Sequence, residues 1–315
     1  MRFIDADAIR AAAPMPELLD AIEAAYRDVA AGRDRSPVRT RVALPDGDLL
    51  LMPGVREGDT GTSVKLVTVK PGNAQRGLPT IHAVVIWLDA SSGEPRAVLD
   101  GATVTAMRTG AASGVATRLL ARPDAEVLAI IGAGAQAAWQ VRAVLAARPI
   151  RELRIYAPSS ASRASFAAAI GEELGSAVRV VVAASAEAAV RGAHVICCVT
   201  TATRPVFDAE WVDAGAHVNG IGAFRLDMVE LPPQVFGRAA LVAVDARAAA
   251  LAEAGDLVAA LDAGMLRPDA FVELGSVEPD WAQRRDPAAI TVFKSVGLAI
   301  QDLATAGLVA TRLGL

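Results

Sequence analysis

The sequence predicts an α/β protein with two domains, one a doubly wound domain with a parallel sheet and the other an α+β domain. Two patterns support this. Residues 38–100 contain short runs rich in Val, Leu, Ile and Thr between turn residues, and residues 126–244 contain apolar strands that alternate with helices. The first pattern is typical of an antiparallel sheet and the second of a parallel sheet. We therefore assign residues 1–121 plus 295–315 to the α+β domain and residues 122–294 to the doubly wound domain.

The α+β domain begins with an amphipathic helix. Apolar residues recur at helical spacing over residues 16–32, and Gly32 is a helix stop. Turns rich in Pro, Gly, Asp and Ser then divide residues 38–100 into about five strands, which predicts a mostly antiparallel sheet. Residues 102–121 are again helical, and a turn closes the domain.

The doubly wound domain is built in a strand-helix-strand order. Its predicted strands are residues 127–131, 153–156, 178–182, 194–199, 217–221 and 240–244. Six short apolar strands that alternate with helices predict a doubly wound parallel sheet. The last stretch, a strand at 290–293 and a helix at 297–312, is expected to return and pack on the first domain.

The composition excludes several classes of protein. The chain has 315 residues, of which 53% are hydrophobic and 21% charged, which is typical of a folded protein and not of a disordered one. Its 31 Lys and Arg against 35 Asp and Glu give a net charge of -4, without the basic block of a nucleic-acid-binding surface. Residues 127–141 form the longest uncharged apolar stretch with helical potential and fall short of the ~20 residues that span a bilayer. Residues 1–14 lack a secretory signal pattern, so we expect a cytoplasmic protein.

The cysteines and histidines do not predict a metal site or a disulfide framework. Cys197 and Cys198 are neighbours in an apolar strand, where consecutive side chains point to opposite faces. The histidines are His82, His194 and His217, so a Cys/His zinc site is not expected. The two cysteines are interpreted as core residues.

A glycine-rich turn follows the strand at 127–131 and opens a helix. It reads Gly132-Ala133-Gly134-Ala135-Gln136-Ala137. Gly132 allows the tight turn, Gly134 lets a pyrophosphate approach the backbone, and Ala137 lets helix and strand pack closely. The motif lies between two strands in the required order, which predicts dinucleotide binding rather than a merely close-packed turn.

The segment after the second strand predicts which dinucleotide is bound. Residues 157–163 carry no carboxylate to hold a ribose 2′-hydroxyl. Instead Ser159, Ser160 and Arg163 suit a 2′-phosphate, so NADP(H) is favoured and NAD(H) is the alternative. The structural alternative makes Ser160 a helix N-cap and Arg163 a solvated charge.

Polar residues within apolar elements of the first domain are candidates for binding a substrate. Lys65 lies in an apolar strand, where an ammonium is costly unless it faces a cleft or an anion; an exposed edge strand is the alternative. Arg108 lies in a helix of small residues, and its guanidinium suits a carboxylate or the cofactor phosphates. His82 shares a strand face with Thr80 and is either a catalytic or a structural residue. His194 and His217 are interpreted as structural.

These residues belong to segments that resemble the ornithine cyclodeaminase/mu-crystallin family in order over nearly the whole chain. The segments are Leu51-Met52-Pro53, Val64-Lys65-Leu66, Gly77-Leu78-Pro79-Thr80, Leu99-Asp100-Gly101, residues 105–113, 132–137 and 215–222, and residues 293–302. The resemblance implies that residues 122–294 form a dinucleotide domain inserted into a substrate and dimerisation domain, residues 1–121 plus 295–315. It implies a homodimer, and hydride exchange between a nicotinamide and an imine next to a carboxylate. It also implies that Arg39, Lys65 and Arg108 hold carboxylate or phosphate groups, with Arg41 as the alternative to Arg39.

From these arguments we predict a set of site residues. The catalytic candidates are Lys65 and His82, and the substrate-binding candidates are Arg39, Lys65, Thr80 and Arg108. The cofactor-binding candidates are Arg108, Thr109, Gly132, Gly134, Ala135, Gln136, Ser159, Ser160, Arg163, Thr200, Thr201 and Gly222. We expect a small imino or amino acid as substrate, and no nucleic-acid or membrane partner.

Two positions depart from ornithine cyclodeaminases, which carry a glutamate and an aspartate where this chain has Leu50 and Phe224. The family's acids serve the amines of an amino-acid substrate, and only Asp227 lies near. The chain therefore looks more like bacterial ketimine reductases, which implies NAD(P)H-dependent reduction of Δ1-pyrroline-2-carboxylate or Δ1-piperideine-2-carboxylate to L-proline or L-pipecolate. The alternatives are ornithine cyclodeamination, an alanine-type amino-acid dehydrogenase, and a non-catalytic nicotinamide-binding protein.

Overall fold

The computed structural model describes residues 1–315, apart from the side chain of Ala74, and the chain divides into two units. Unit 1 is Met1–Arg108 with Gly297–Leu315, and unit 2 is Thr109–Val296. The division thus falls at residue 108 instead of the predicted 121. The physical reason is that one continuous helix, Gly101–Leu120, crosses the boundary, and the sequence shows only where that helix ends.

The strands and helices are numbered along the chain. The strands are β1 (Arg2–Ile4), β2 (Thr40–Leu44), β3 (Gly47–Gly54), β4 (Gly61–Val69), β5 (Ile81–Asp89), β6 (Pro95–Asp100), β7 (Val127–Ile131), β8 (Glu152–Tyr156), β9 (Arg179–Val182), β10 (Val195–Cys198), β11 (His217–Gly220), β12 (Ala239–Val244), β13 (Phe271–Glu273) and β14 (Ile290–Lys294). The helices are α1 (Ala6–Ala12), α2 (Met15–Ala30), α3 (Gly101–Leu120), α4 (Ala137–Ala147), α5 (Ser160–Leu174), α6 (Ala186–Val190), α7 (Pro233–Arg238), α8 (Arg247–Glu253), α9 (Gly255–Asp262), α10 (Trp281–Arg284) and α11 (Ala299–Leu313).

Unit 1 contains a six-stranded sheet in the order β1-β6-β5-β4-β3-β2. All neighbours are antiparallel except β1, which runs parallel to β6. Side chains alternate between two faces along each strand. One face is buried against α11, where Leu50, Met52 and Val67 pack with Ala299. The predicted antiparallel sheet is confirmed, and the short β1 was not predicted.

Unit 2 contains an eight-stranded parallel sheet in the order β13-β12-β14-β11-β10-β7-β8-β9. Chain order reverses beside β7, as in doubly wound folds. The predicted parallel sheet is confirmed. One placement was wrong: the strand at 290–293 does not pack on the first domain, because β14 lies inside this sheet between β11 and β12. Its five residues are all buried, which is typical of a strand covered on both faces.

Small residues in α3 allow close packing within unit 2. A Cβ atom on Gly110 would lie 2.5 Å from the carbonyl oxygen of Trp139, at the start of α4. Ala111, Ala112 and Val115 are also fully buried. The helix therefore packs with its backbone close to α4, which fits the predicted role of its small side chains.

Candidate functional site

Three cations of unit 1 lie at the same face of its sheet. Lys65 is in the middle of β4, and only 1% of it is exposed. The register pairs Met52 of β3 with Lys65 and Lys65 with Val85 of β5, so these side chains share a face. Arg108, in α3, is also buried. Lys65 is therefore not an exposed edge-strand lysine.

Asp302 of α11 joins Lys65 and Arg108. Lys65 Nζ lies 2.7 Å from Asp302 Oδ2, and Arg108 Nε donates to Asp302 Oδ1 at 3.1 Å. The Asp302 carboxylate is fully buried. Sequence reasoning asked for an anion beside Lys65 but did not identify Asp302. The available signal was an acid on the same helical face as Ala306 and Val309, where burial without a cation would be costly.

The segment before α11 also contacts these cations. Arg108 Nη1 donates to Gln301 Oε1 at 2.9 Å, and Arg39 Nη2 donates to the carbonyl oxygen of Gly297 at 2.6 Å. Gly297 has a φ of +83°, and a Cβ atom there would lie 2.4 Å from Arg108 Nη1. Only glycine adopts this positive φ readily and also leaves room for the Arg108 guanidinium. The stretch 297–302 thus organises Arg39, Lys65 and Arg108, which are the three predicted substrate-binding cations.

Arg41, the alternative to Arg39, is engaged elsewhere. Its Nε atom donates to Asp48 at 2.7 Å, and more than half of its side chain is exposed. Arg39 is therefore the arginine that the structure brings to the segment 297–302.

The environment of Lys65 alters its protonation. Burial lowers the pKa of Lys65 to about 7, and the nearby Arg108 and Arg39 act in the same direction. Asp302 opposes this shift through its charge and its hydrogen bond. An ammonium with such a pKa can give up and regain a proton near neutral pH, as a general acid must.

His82 does not join this cluster, and Thr80 lies just before β5, where its carbonyl oxygen accepts from the Lys70 N–H at 2.8 Å. On β5 the residue opposite Lys65 is Val85, whereas His82 is opposite Thr68. Positions 82 and 85 differ by an odd number, so their side chains lie on opposite faces of the sheet. His82, Thr68 and Asp100 instead line an open cavity of about 550 Å³ on the other face. A catalytic role for His82 beside Lys65 therefore has no geometric support.

The glycine turn of unit 2 has the geometry expected for a dinucleotide. Gly132 has a φ of +113°, and a Cβ atom there would lie 2.8 Å from the carbonyl oxygen of Val199. A Cβ on Gly134 would meet no atom within 4 Å, so its backbone faces open space. Ala137 is fully buried at the start of α4. Gln136 is the N-cap residue but provides no side-chain cap, which leaves N–H groups of the helix without that partner.

The loop after β8 positions one of the predicted 2′-phosphate ligands. Arg163 Nη1 donates to the carbonyl oxygen of Ala157 at 2.8 Å, and its guanidinium lies 5.3 Å from the centre of the Tyr156 ring. It is therefore held against the loop rather than free in solvent. The N-cap of α5 is Ser159, whose Oγ accepts from the Ser162 N–H at 3.2 Å. The alternative that assigned this role to Ser160 was wrong by one residue.

The remaining predicted cofactor residues of unit 2 lie in two places. Thr200 and Thr201 follow β10 and Gly222 follows β11, at the carboxyl ends of neighbouring strands. Thr109 lies in α3, and its carbonyl oxygen accepts from Gln140 Nε2 at 3.4 Å. Sequence reasoning missed Glu230, whose buried carboxylate accepts hydrogen bonds from both Thr200 and Gly222. An isolated acid beside two prolines gave no local signal for that contact.

The two departures from ornithine cyclodeaminases can be located within their own units. Leu50 is buried in β3 on the same face as Lys65, since it pairs with Val67. Phe224 is half-buried in unit 2. The nearby Asp227 is exposed and accepts from Arg225 Nε at 2.9 Å. Leu50 thus provides an apolar surface where those enzymes carry an acid.

The cysteines and two of the histidines have structural surroundings. Burial raises the pKa of the Cys197 thiol to about 12, which makes it a poor nucleophile. His217 hydrogen-bonds Thr291 and Asn219 through its two ring nitrogens, and burial lowers its pKa to about 3. His194 Nδ1 accepts from the Glu126 N–H at 2.9 Å. Within residues 1–315 as described, no three His, Cys, Asp or Glu side chains gather as a metal site, and no helix of that part has the length and apolarity to cross a bilayer.

The fold and the glycine turn define a protein of the Rossmann-type dinucleotide-binding class. Comparison with known proteins gives a more specific assignment. The profile of the ornithine cyclodeaminase/mu-crystallin family matches residues 3–314. The chain belongs to this family, which confirms the resemblance found in the sequence.

Individual relatives agree over almost the whole chain. A Δ1-pyrroline-2-carboxylate reductase of Bacillus cereus is 39% identical over 310 residues, which cover 97% of this chain and 94% of that protein. A solved structure of Thermococcus litoralis Δ1-pyrroline-2-carboxylate reductase in complex with NADH and L-proline has a TM-score of 0.92 and 32% identity, covering 100% of this chain and 99% of the other. An archaeal alanine dehydrogenase dimer with bound NAD has a TM-score of 0.89 and 31% identity, covering 99% and 95%.

Proposed function

We propose that this protein reduces cyclic ketimine carboxylates, namely Δ1-pyrroline-2-carboxylate or Δ1-piperideine-2-carboxylate, to L-proline or L-pipecolate. The observation that carries the proposal is the buried cluster in which Lys65 and Arg108 share the single carboxylate of Asp302. The reductases of B. cereus and T. litoralis, which are similar over nearly their whole length, support the same reaction.

The charges of the cluster favour an anionic substrate. With all three cations protonated, Arg39, Lys65, Arg108 and Asp302 carry two net positive charges, of which Lys65, Arg108 and Asp302 contribute one at an almost fully buried site. A monocarboxylate would balance that buried charge, and a buried charge is costly unless it is balanced. Leu50 lies on the same face and suits an apolar ring better than the side-chain amine of ornithine. Cyclic imino acids have this combination of one carboxylate and an apolar ring.

Lys65 is the proposed proton donor. Reduction of a neutral imine adds a hydride to carbon and a proton to nitrogen. Because the pKa of Lys65 is lowered to about 7, its ammonium can donate that proton and then be reprotonated from water. Arg108 and Arg39 are proposed to hold the substrate carboxylate. His82 has no part in this proposal, since it lies on the other face of the sheet. Thr80 precedes β5 and is not used in it either.

A nicotinamide nucleotide is the proposed hydride donor. The residues of unit 2 fit such a group, because Gly134 faces open space and α4 begins without a side-chain cap. Arg163 and the hydroxyls of Ser159 and Ser160 favour NADP(H) over NAD(H), since residues 157–163 contain no acid to repel a 2′-phosphate. Thr200, Thr201 and Gly222, at the carboxyl ends of β10 and β11, are proposed to contact the remainder of the cofactor.

The proposed assembly is a homodimer. On the sheet face opposite Lys65, apolar side chains such as Leu49, Leu66 and Val84 border the open cavity. Single apolar residues on a surface are normal, but a cluster on one sheet face is typical of an interface. The similar archaeal alanine dehydrogenase is a dimer. Light scattering on the purified protein should therefore give twice the mass of one chain, and the mass of a single chain would contradict the proposal.

One screen tests the reaction against its alternatives. Purified protein is mixed with NADPH or NADH and either a cyclic imino acid or pyruvate plus ammonia, and cofactor oxidation is followed by absorbance. In reverse, it is mixed with NAD⁺ or NADP⁺ and ornithine or proline. We expect the fastest turnover with a cyclic imino acid and NADPH. Faster release of ammonia from ornithine would indicate a cyclodeaminase, faster pyruvate amination an alanine-type dehydrogenase, and cofactor binding without turnover a non-catalytic protein.

A further inference from the structure

Unit 2 contains a fully buried ionic network that the proposed reaction does not use. It consists of Glu230, Asp256 and Lys294, each with no exposed surface. Lys294 Nζ lies 2.7 Å from Asp256 Oδ2. Asp256 Oδ1 in turn accepts from the backbone N–H groups of Glu230 at 2.5 Å and Leu231 at 3.0 Å. Two acids and one lysine are therefore held together inside an otherwise apolar core.

Glu230 uses both carboxylate oxygens to tie two loops together. Oε2 accepts from the backbone N–H of Thr200 at 2.9 Å and from its hydroxyl at 3.0 Å. Oε1 accepts from the N–H groups of Gly222 at 2.5 Å and Ala223 at 3.3 Å. The loops are so close that a Cβ atom on Gly222 would lie 2.0 Å from the carbonyl oxygen of Thr200. One side chain thus fixes the carboxyl ends of β10 and β11 relative to each other.

The network is not explained by stability alone. Burial raises the pKa of Glu230, and Lys294 opposes that shift through its positive charge. Four donors converge on Glu230, an arrangement that an ionised carboxylate satisfies best. A well-packed apolar core of similar volume is often as stable as buried ion pairs, so their presence calls for another reason.

The position of the two loops supplies that reason. In a doubly wound sheet the dinucleotide crosses the carboxyl ends of the strands where chain order reverses. Here that point lies beside β7, with β8 on one side and β10 and β11 on the other. The loop after β8 carries the residues suited to the adenosine ribose. The other half of the cofactor must then extend over the ends of β10 and β11. The loop after β10 also contacts the glycine turn, since Val199 adjoins Gly132.

We propose that Glu230 is a positioning residue that fixes the loops after β10 and β11 to receive the nicotinamide half of the cofactor. Asp256 and Lys294 hold Glu230 in place, Asp256 through the Glu230 backbone N–H and Lys294 through Asp256. This inference rests on the proposed binding of a nicotinamide nucleotide by unit 2, and it does not depend on which imino acid is the substrate.

The test uses two ligands that differ in the half of the cofactor they contain. Glu230→Gln keeps the size of the side chain but points an amide NH₂ group at backbone donors. Binding of NADPH and of 2′,5′-ADP, which lacks the nicotinamide half, is measured by calorimetry on the full-length protein. We expect NADPH to bind about tenfold or more weakly, and 2′,5′-ADP to bind within about twofold of the parent. Binding of NADH should weaken in the same proportion as binding of NADPH. ADP, which lacks the nicotinamide half, is the matching fragment for NADH.

A matched control is available in the same unit. Asp245 is also a fully buried acid, and it accepts from Ser295 Oγ at 2.9 Å and the Val296 N–H at 2.8 Å; it follows β12 rather than β10 or β11. Asp245→Asn should lower the melting temperature without changing the ratio of NADPH to 2′,5′-ADP affinity. A changed ratio in this control would show that the ratio reports general destabilisation, and the proposal would fail.

The outcomes separate the proposal from its premise. Unchanged NADPH binding in Glu230→Gln, or parallel weakening of NADPH and 2′,5′-ADP, overturns the positioning role while leaving the proposed function intact. If the parent binds neither NADPH nor NADH, the proposed function itself fails, and the inference fails with it. If Glu230→Gln does not fold, the double variant Asp256→Asn/Lys294→Met, which removes one charge of each sign, replaces it in the test. Weaker binding of NADPH with unchanged binding of 2′,5′-ADP supports the proposal, and parallel weakening of both ligands rejects it.

Discussion

Replacement of Lys65 by methionine is the most informative change in unit 1, because it keeps the aliphatic stem and removes the charge. The buried Asp302 then loses the cation at 2.7 Å but keeps Arg108 at 3.1 Å. Removing one partner of a buried ion pair costs about 3–5 kcal/mol of folding free energy. Because Arg108 still neutralises Asp302, we expect a cost near the lower end of that range.

The effect on catalysis should be larger than a loss of folded protein can explain. A positioned general acid contributes about 10²–10⁴-fold to the rate, so loss of the Lys65 ammonium should lower kcat/KM by about a hundredfold to ten-thousandfold. NADPH binding should change much less, since the glycine turn belongs to unit 2. The assay is imine reduction followed by NADPH absorbance, beside calorimetric NADPH binding and urea unfolding of the same preparations.

The double variant Lys65→Met/Asp302→Asn separates stability from catalysis. It leaves Arg108 buried without the carboxylate at 3.1 Å, so the folding free energy should fall further than in Lys65→Met, while imine reduction stays as low as in Lys65→Met. Activity of Lys65→Met within about threefold of the parent would mean that the substrate binds elsewhere. Recovery of activity in the double variant would show that Lys65 serves only to neutralise Asp302.

Three further changes test other parts of the site. The pKa of Lys65 is lowered to about 7, so its protonated fraction falls as pH rises through 7, and kcat/KM for imine reduction should fall with it. Asp302→Asn removes the group that raises this pKa and should therefore move the fall to lower pH. An identical pH profile in this variant would reject Lys65 as the ionising group. Ser159→Asp retains an N-cap for α5 and places a negative charge in the loop after β8. The ratio of kcat/KM for NADPH to that for NADH should therefore decrease, and an unchanged or increased ratio would place the 2′-phosphate elsewhere. His82→Ala should keep kcat/KM within about threefold of the parent, because His82 lies on the face opposite Lys65; a larger loss would restore His82 as a catalytic candidate.

Local patterns predicted the parts of the fold and of the site that depend on neighbouring residues in the sequence. The glycine turn needs only Gly132, Gly134 and Ala137 in order, and the structure gives each the surroundings that its role requires. Lys65 was predicted from the conflict between one charge and the apolar residues around it. In each case the physical cause lies within a few residues of the chain.

Contacts between distant segments could not be predicted in this way. Lys65 and Asp302 are brought together by the packing of α11 on the sheet, and Glu230 meets Thr200 only through the crossover connections of unit 2. His82 and Lys65 were both catalytic candidates, and they lie in neighbouring strands. The register of β4 and β5 decides which face each occupies, and a shift of one residue reverses the answer. The sequence contains no local measure of that register.

The contribution of α11 to the cationic cluster has a consequence for the order in which the protein matures. Arg39 and Lys65 are synthesised before unit 2, whereas Gly297 and Asp302 are synthesised after it. During synthesis, the sheet of unit 1 therefore carries a lysine without its Asp302 partner while the whole of unit 2 is made and can fold. Unit 1 can acquire its carboxylate only once the insertion is complete, so the cluster proposed to bind the substrate is completed after unit 2 has been made.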